Sequence, residues 1–190
     1  METSSTDTRA DWRRLFESAV EGARRLAAEA DADAANLKPG PDRWSANECI
    51  DHLERSMAEY LPLLRAAIER GRAKGKHGEE PFGRGTFVGR FLVKAMRRGR
   101  TKRYPAPRAF RPAAGDLDLP ALVDAFVARA EEMIALLEDA DGLALGRIRF
   151  ATPVSRLLRV SAAQAFEIHA LHNHRHLEQA EEALRETRDR

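Results

Sequence analysis

Four stretches of this 190-residue chain carry apolar side chains at a helical period, and two of them open on a capping box. That pattern leaves room for little but a helical fold. The first stretch, about residues 8–30, places Trp12, Leu15, Phe16, Val20, Ala23, Leu26 and Ala27 on one stripe. The second opens at Ser45-Ala46-Asn47-Glu48, where the serine and the glutamate satisfy each other's orphan N–H groups, and Cys49, Leu53, Met57, Tyr60, Leu61 and Leu64 carry it to about residue 70. A third spans about 119–138, with Pro120 tolerated in its first turn. The fourth opens at Ser161-Ala162-Ala163-Gln164 and runs to about 187. Between the third and fourth, residues 143–160 read as a loop with a short strand at 148–150. Helices of about 20 to 27 residues with one apolar face each predict an all-α, four-helix bundle roughly 30 to 40 Å long, folded as a single domain over residues 1–190. An all-β sandwich is excluded by the abundance of helix formers and an aromatic content of only 6%.

The connection between the second and third helices is long and differs in charge from the rest. Residues 72–111 hold 13 of the 32 Lys+Arg and two of the 30 Asp+Glu, a local net of +11, which leaves 19 basic and 28 acidic residues, net −9, elsewhere. The chain reads as an acidic body with a basic insert, about 72–115, that lets the backbone cross the bundle. Within it, Phe87, Val88, Phe91, Leu92 and Met96 form a candidate helical face in an amphipathic patch at 82–98, and Tyr104-Pro105 through Phe110-Arg111-Pro112 read as extended chain. Cations interleaved with aromatics suit nucleic acid or an anionic membrane surface; the other reading is a solvated cover whose aromatics dock on the core.

A lone cysteine, Cys49, rules out an internal disulfide, and no stretch reaches the roughly 20 apolar residues that span a bilayer. The expectation is a cytoplasmic protein without membrane insertion.

Four of the six histidines fall within eight residues of the last helix. His172 and His176 lie about 40° apart and about 6 Å along the axis, on one face, whereas His169 lies about 60° to the other side of His172. His174, about 160° from His172, is expected to face solvent, and Arg175 to make an ion pair at the bundle edge. Two imidazoles at i and i+4 can converge on one divalent ion if another helix supplies a third ligand, for which His52 is the candidate. Spacing alone leaves ordinary helix-surface histidines as the alternative. Glu48 reads as a cap, Asp51 as a solvated neighbour of His52, and Cys49 as a core residue.

The run Arg43-Trp44-Ser45-Ala46-Asn47-Glu48-Cys49-Ile50-Asp51-His52-Leu53, combined with His172-Asn173-His174-Arg175-His176-Leu177-Glu178-Gln179, resembles the DinB-like superfamily of metal-dependent enzymes. That family carries W-S-x-x-E-x-x-x-H-L at the start of helix two and H-x-x-x-H-x-x-Q in the last helix. The resemblance implies a four-helix bundle with a divalent metal, nickel or zinc, held by His52, His172 and His176. Gln179 matches the family's glutamine and is expected to orient a ligand or a bound water, while His169 lines the pocket or competes as a ligand. The catalytic residues themselves stay open.

Three histidines leave coordination positions free, so the implied chemistry is metal-dependent: hydrolase-like, or thiol-transferase-like with a low-molecular-weight thiol as co-substrate. A small-molecule substrate is expected, and a homodimer is compatible with the pattern. The contrasting expectation is a non-catalytic helical bundle, or binding of nucleic acid or an anionic surface through the basic insert.

Overall fold

The computed structural model describes residues 5–78, 85–97 and 106–188. The expected patch therefore falls only partly within the described residues, and Tyr104-Pro105 lies outside them.

The chain is mostly helical: α1 (Ser5–Glu29), α2 (Ala46–Ala73), α3 (Phe87–Arg97), α4 (Leu119–Asp139) and α5 (Ala162–Thr187), with one antiparallel hairpin, β1 (Arg149–Thr152) and β2 (Ser155–Ser161). Both capping boxes form. Ser45 Oγ accepts from Glu48 N at 3.1 Å while Glu48 Oε2 accepts from Ser45 N at 3.0 Å, and Ser161 and Gln164 repeat the exchange at 3.2 and 3.1 Å. Helix α1 packs on α4 and α5, and α2 packs on the same two helices from the other side. Their stripes meet in a core that includes Trp12, Phe16, Leu53, Met57, Phe126, Met133 and Phe166. Cys49 belongs to that core, as expected. Among the described residues, no helix is long and apolar enough to cross a membrane.

Two features refine the helical expectation. The loop expected at 143–160 is a hairpin, pairing Phe150 with Val160 and Ala151 with Arg159 and slipping register between Ala151 and Thr152. It lies close on α2: a Cβ at Gly71 would overlap the Ile148 side chain, so only glycine permits this approach. A fifth helix, α3, forms within the basic segment and packs on α5 and β2. Its inward side is Leu92, Val93 and Met96; Phe87 and Phe91, expected on the same face, point outward at 78% and 59% exposure. By contrast, Phe110 docks on the core.

Gln164 anchors the start of α3. Its Oε1 accepts from Thr86 N at 2.9 Å, and its Nε2 donates to Thr86 O at 3.1 Å. Gly85, at φ +55°, leaves the space that the Gln164 amide fills.

Candidate metal centre

The capping boxes start α2 and α5, and the packing of the two helices on each other brings His52 of α2 together with His172 and His176 of α5, His169 lying one turn earlier. Ligand nitrogens of His52, His172 and His176 lie within 4.8 Å of one another. His52 Nε2 and His172 Nε2 face each other at 3.1 Å. The three rings are mutually edge-on, with centroids 4.5 to 4.9 Å apart.

The His52 tautomer follows from its other nitrogen. Nδ1–H donates to the Phe110 carbonyl at 2.6 Å, so in the neutral ring Nε2 carries a lone pair pointed at the cluster. That lone pair takes either a proton from His172 or a share in a cation. His176 Nδ1 is buried with no hydrogen-bond partner, which a proton shared between the other two rings does not remedy.

Electrostatics favour the neutral rings. Burial pushes the pKa of His52 down, against smaller opposing effects from the Phe110 carbonyl and Asp51. Burial likewise takes His176 down to about 3, with His52 and Arg175 adding and the Gln179 amide, as an acceptor, opposing. His172 falls well below its ordinary value through burial first and its neighbouring imidazoles second. Neutral imidazoles are the form that binds metal, and here protons compete weakly for them.

The donor set fits a divalent ion. Nitrogens about 2.0–2.1 Å from one ion at ordinary coordination angles sit roughly 3.0–3.4 Å apart, which brackets the His52–His172 separation. Three neutral imidazoles suit zinc or nickel better than calcium or magnesium.

The surroundings assign the remaining expected residues. Gln179 stands one turn beyond His176 on α5 and opposes the lowering of its pKa, the place and influence expected of a group that orients a ligand. His169 is 1% exposed, neither of its ring nitrogens has a partner, and its ring meets Tyr60 at 4.6 Å and His172 at 6.3 Å. It stands beside the three-histidine group and outside it. Burial, with a smaller contribution from His52, depresses its pKa to about 3, and burial raises Tyr60 to about 12.

Three expectations are corrected. His174 does not face solvent: its Nε2–H donates to the Leu15 carbonyl at 2.9 Å, because α1 covers that side of α5. Asp51 is buried, and its Oδ2 accepts from Arg55 Nε at 2.8 Å and Ala113 N at 2.7 Å, pinning the chain that follows Phe110. Arg175 makes no ion pair among the described residues; its Nη1 reaches the Ala95 carbonyl of α3 at 3.5 Å.

Two contributors had no role assigned from the sequence, although Trp44 belongs to the motif at the start of α2. Trp44 walls the site, its ring 4.7 Å from His52 and 5.7 Å from His176. Its place just before the Ser45 cap was the available signal. The Phe110 carbonyl had none, being a main-chain atom 58 residues from the histidine it holds.

Comparison with curated proteins and with solved structures returns no match. A family model described as the DinB superfamily matches residues 15–180, a span that contains the site from Trp44 to Gln179, and the chain belongs to that superfamily.

Proposed function

We propose that this protein is a divalent-metal-dependent enzyme acting on a small molecule, with His52, His172 and His176 as the metal ligands. The observation that carries the proposal is the convergence of neutral ring nitrogens: the His52 lone pair is aimed at His172 Nε2, and the buried His176 Nδ1 is left without a partner. A divalent ion bound there, nickel or zinc, would activate a water for hydrolysis or a low-molecular-weight thiol for transfer. The chain's own residues do the rest. Phe110 O holds the proton on His52 Nδ1, Gln179 orients the His176 ring, and Trp44 shields two of the rings from water. His169 presents unpaired nitrogens to a group bound beside His172.

In the same reading the four long helices form one four-helix bundle and a single domain, with residues 72–115 as its crossover. The protein is cytoplasmic, and pairing of two copies is compatible with it. A second reading, contact with nucleic acid or another anionic surface through the basic segment, is favoured by one observation: α3 carries Arg90, Lys94 and Arg97, no acid, and outward-facing Phe87 and Phe91.

Metal analysis of protein purified without chelators tests the first reading. About one equivalent of nickel or zinc is expected in the wild type and none in His52→Ala, His172→Ala or His176→Ala. Equal, background metal in all four would overturn it. Conjugation of several thiols to a model electrophile, run beside ester and amide hydrolysis, then separates transferase from hydrolase.

A further inference from the structure

The hairpin and the C-terminal half of α2 enclose a groove of about 510 Å³, within the size range of small-molecule sites. Its floor is apolar, from Leu63, Ala67, Ile148 and Phe150. Its rim is uniformly cationic: Arg70, Lys74 and Lys76 on one side, Arg147, Arg149 and Arg159 on the other. No carboxylate lines it, and none of the six cations makes an ion pair among the described residues.

Two of the cations are fixed by main-chain contacts. Lys76 Nζ donates to the Arg147 carbonyl at 2.8 Å, and Arg159 Nη2 reaches the Arg149 carbonyl at 3.5 Å. Six like charges around one low-dielectric hollow repel one another and concentrate positive potential over an apolar floor. This cost contrasts with the rest of the surface, where Arg13, Arg24, Arg43, Arg72 and Arg129 all meet acids.

We propose that this groove binds an amphiphilic anion, a small molecule with a phosphate or comparable anionic head and an apolar body. The head is neutralised by the rim, and the body covers Leu63, Ile148 and Phe150. The site is separate from the histidine cluster. It shares no residue with it, and at about 1.5 Å rise per residue the stretch from Leu63 to Arg70 lies roughly 16–27 Å further along α2 than His52. The proposal therefore goes beyond the metal-dependent reading and stands or falls without it. A nucleic-acid backbone would satisfy the cations and leave the floor uncovered, so a small amphiphile uses more of what the groove offers.

The test is calorimetric titration of the metal-free 190-residue chain with decyl phosphate below its micellar concentration, beside inorganic phosphate and decanol. Decyl phosphate is expected to bind once per chain, about tenfold or more tighter than either half-molecule, and to weaken with added salt. Lys74→Ala combined with Arg149→Ala should reduce its affinity about tenfold or more, whereas Arg14→Ala combined with Arg25→Ala, the same change in net charge elsewhere, should not. Phe87→Ser with Phe91→Ser, which removes the exposed aromatics of α3, should also leave binding intact. Equal affinity for decyl phosphate and decanol, or insensitivity to the Lys74/Arg149 pair, would overturn the proposal. Tight binding of a single-stranded oligonucleotide through those same cations, with decyl phosphate inert, would overturn it in favour of a nucleic-acid surface.

Discussion

Helix α5 carries two buried polar clusters on one continuous rod, and they are built to opposite rules. At its first turn, the Gln164 amide exchanges hydrogen bonds with Ser161 and Thr86 through both its oxygen and its nitrogen. Further along, buried His169 has no partner on either nitrogen, and half-buried His176 has none on its buried Nδ1. A buried polar group without a partner costs about 1–3 kcal/mol, so the first cluster is closed and stabilises the fold, while the second is open and costs the apo-protein stability. Polarity inside a core does not by itself mark a functional site; the convergence of unmet ring nitrogens on neighbouring imidazoles does.

That contrast can be broken by substitution. The largest effect expected is on metal: His172→Ala should lower metal affinity by about a hundredfold or more, measured by competition with a chromophoric chelator, and Gln164→Leu should leave it unchanged. Next is the stability loss at the closed cluster. Gln164→Leu strands Thr86 N and Ser161 N and should cost about 2–4 kcal/mol, seen as a Tm lower by roughly 5–10 °C. The open cluster should respond with the opposite sign. His169→Phe keeps the ring shape, removes two unpaired nitrogens and should raise apo-protein stability by about 1–2 kcal/mol in denaturant unfolding. If His169→Phe were as destabilising as Gln164→Leu, the distinction between the clusters would be lost.

Acid provides a subtler test. The four histidines have native pKa values below the unfolded value of about 6.5, so the unfolded chain binds more protons as the pH falls. Stability from keeping them neutral is complete above about pH 6.5 and is lost progressively toward pH 3. Thermal melts of apo-protein between pH 7 and 5 should fall steeply for wild type and Gln164→Leu, and less steeply for His169→Phe. The smallest effect is at the caps, where Ser45→Ala should cost about 1 kcal/mol in equilibrium unfolding.

The long helices were legible in the sequence because each announces itself locally, through a cap and a 3.6-residue stripe. The histidine trio was legible through its spacing and through a motif that ties residue 52 to residues 172 and 176. The hairpin was harder to read because β2 is exposed on both faces over most of its length, with Leu157 91% exposed, so no period-two alternation marks it. The facing of α3 was legible only in part, with Leu92 and Met96 inward as expected and Phe87 and Phe91 not, for a related reason. Leu92, Val93 and Met96 were chosen for burial over Phe87 and Phe91 by α5 and the Gln164 anchor, neither of which a helical wheel of the segment contains. His174 and Asp51 were misjudged because projection on one helix does not show the backbone carbonyl or amide that another segment brings to it.

The bond from His52 to Phe110 has a consequence for anyone who surveys this protein by mutation. Its acceptor is a peptide oxygen, so no side-chain replacement at residue 110 deletes it. Replacements at the solvent-facing residues of the connecting segment would thus miss its contribution to the histidine's proton, and a loss at Phe110 would read as lost core packing. Displacement of the segment, by excision, by insertion, or by dislodging the Phe110 ring or the Asp51–Ala113 tether that seats it, would expose the dependence. What the histidine requires of this segment is a path through space and not a particular side chain at residue 110, as backbone ligation allows.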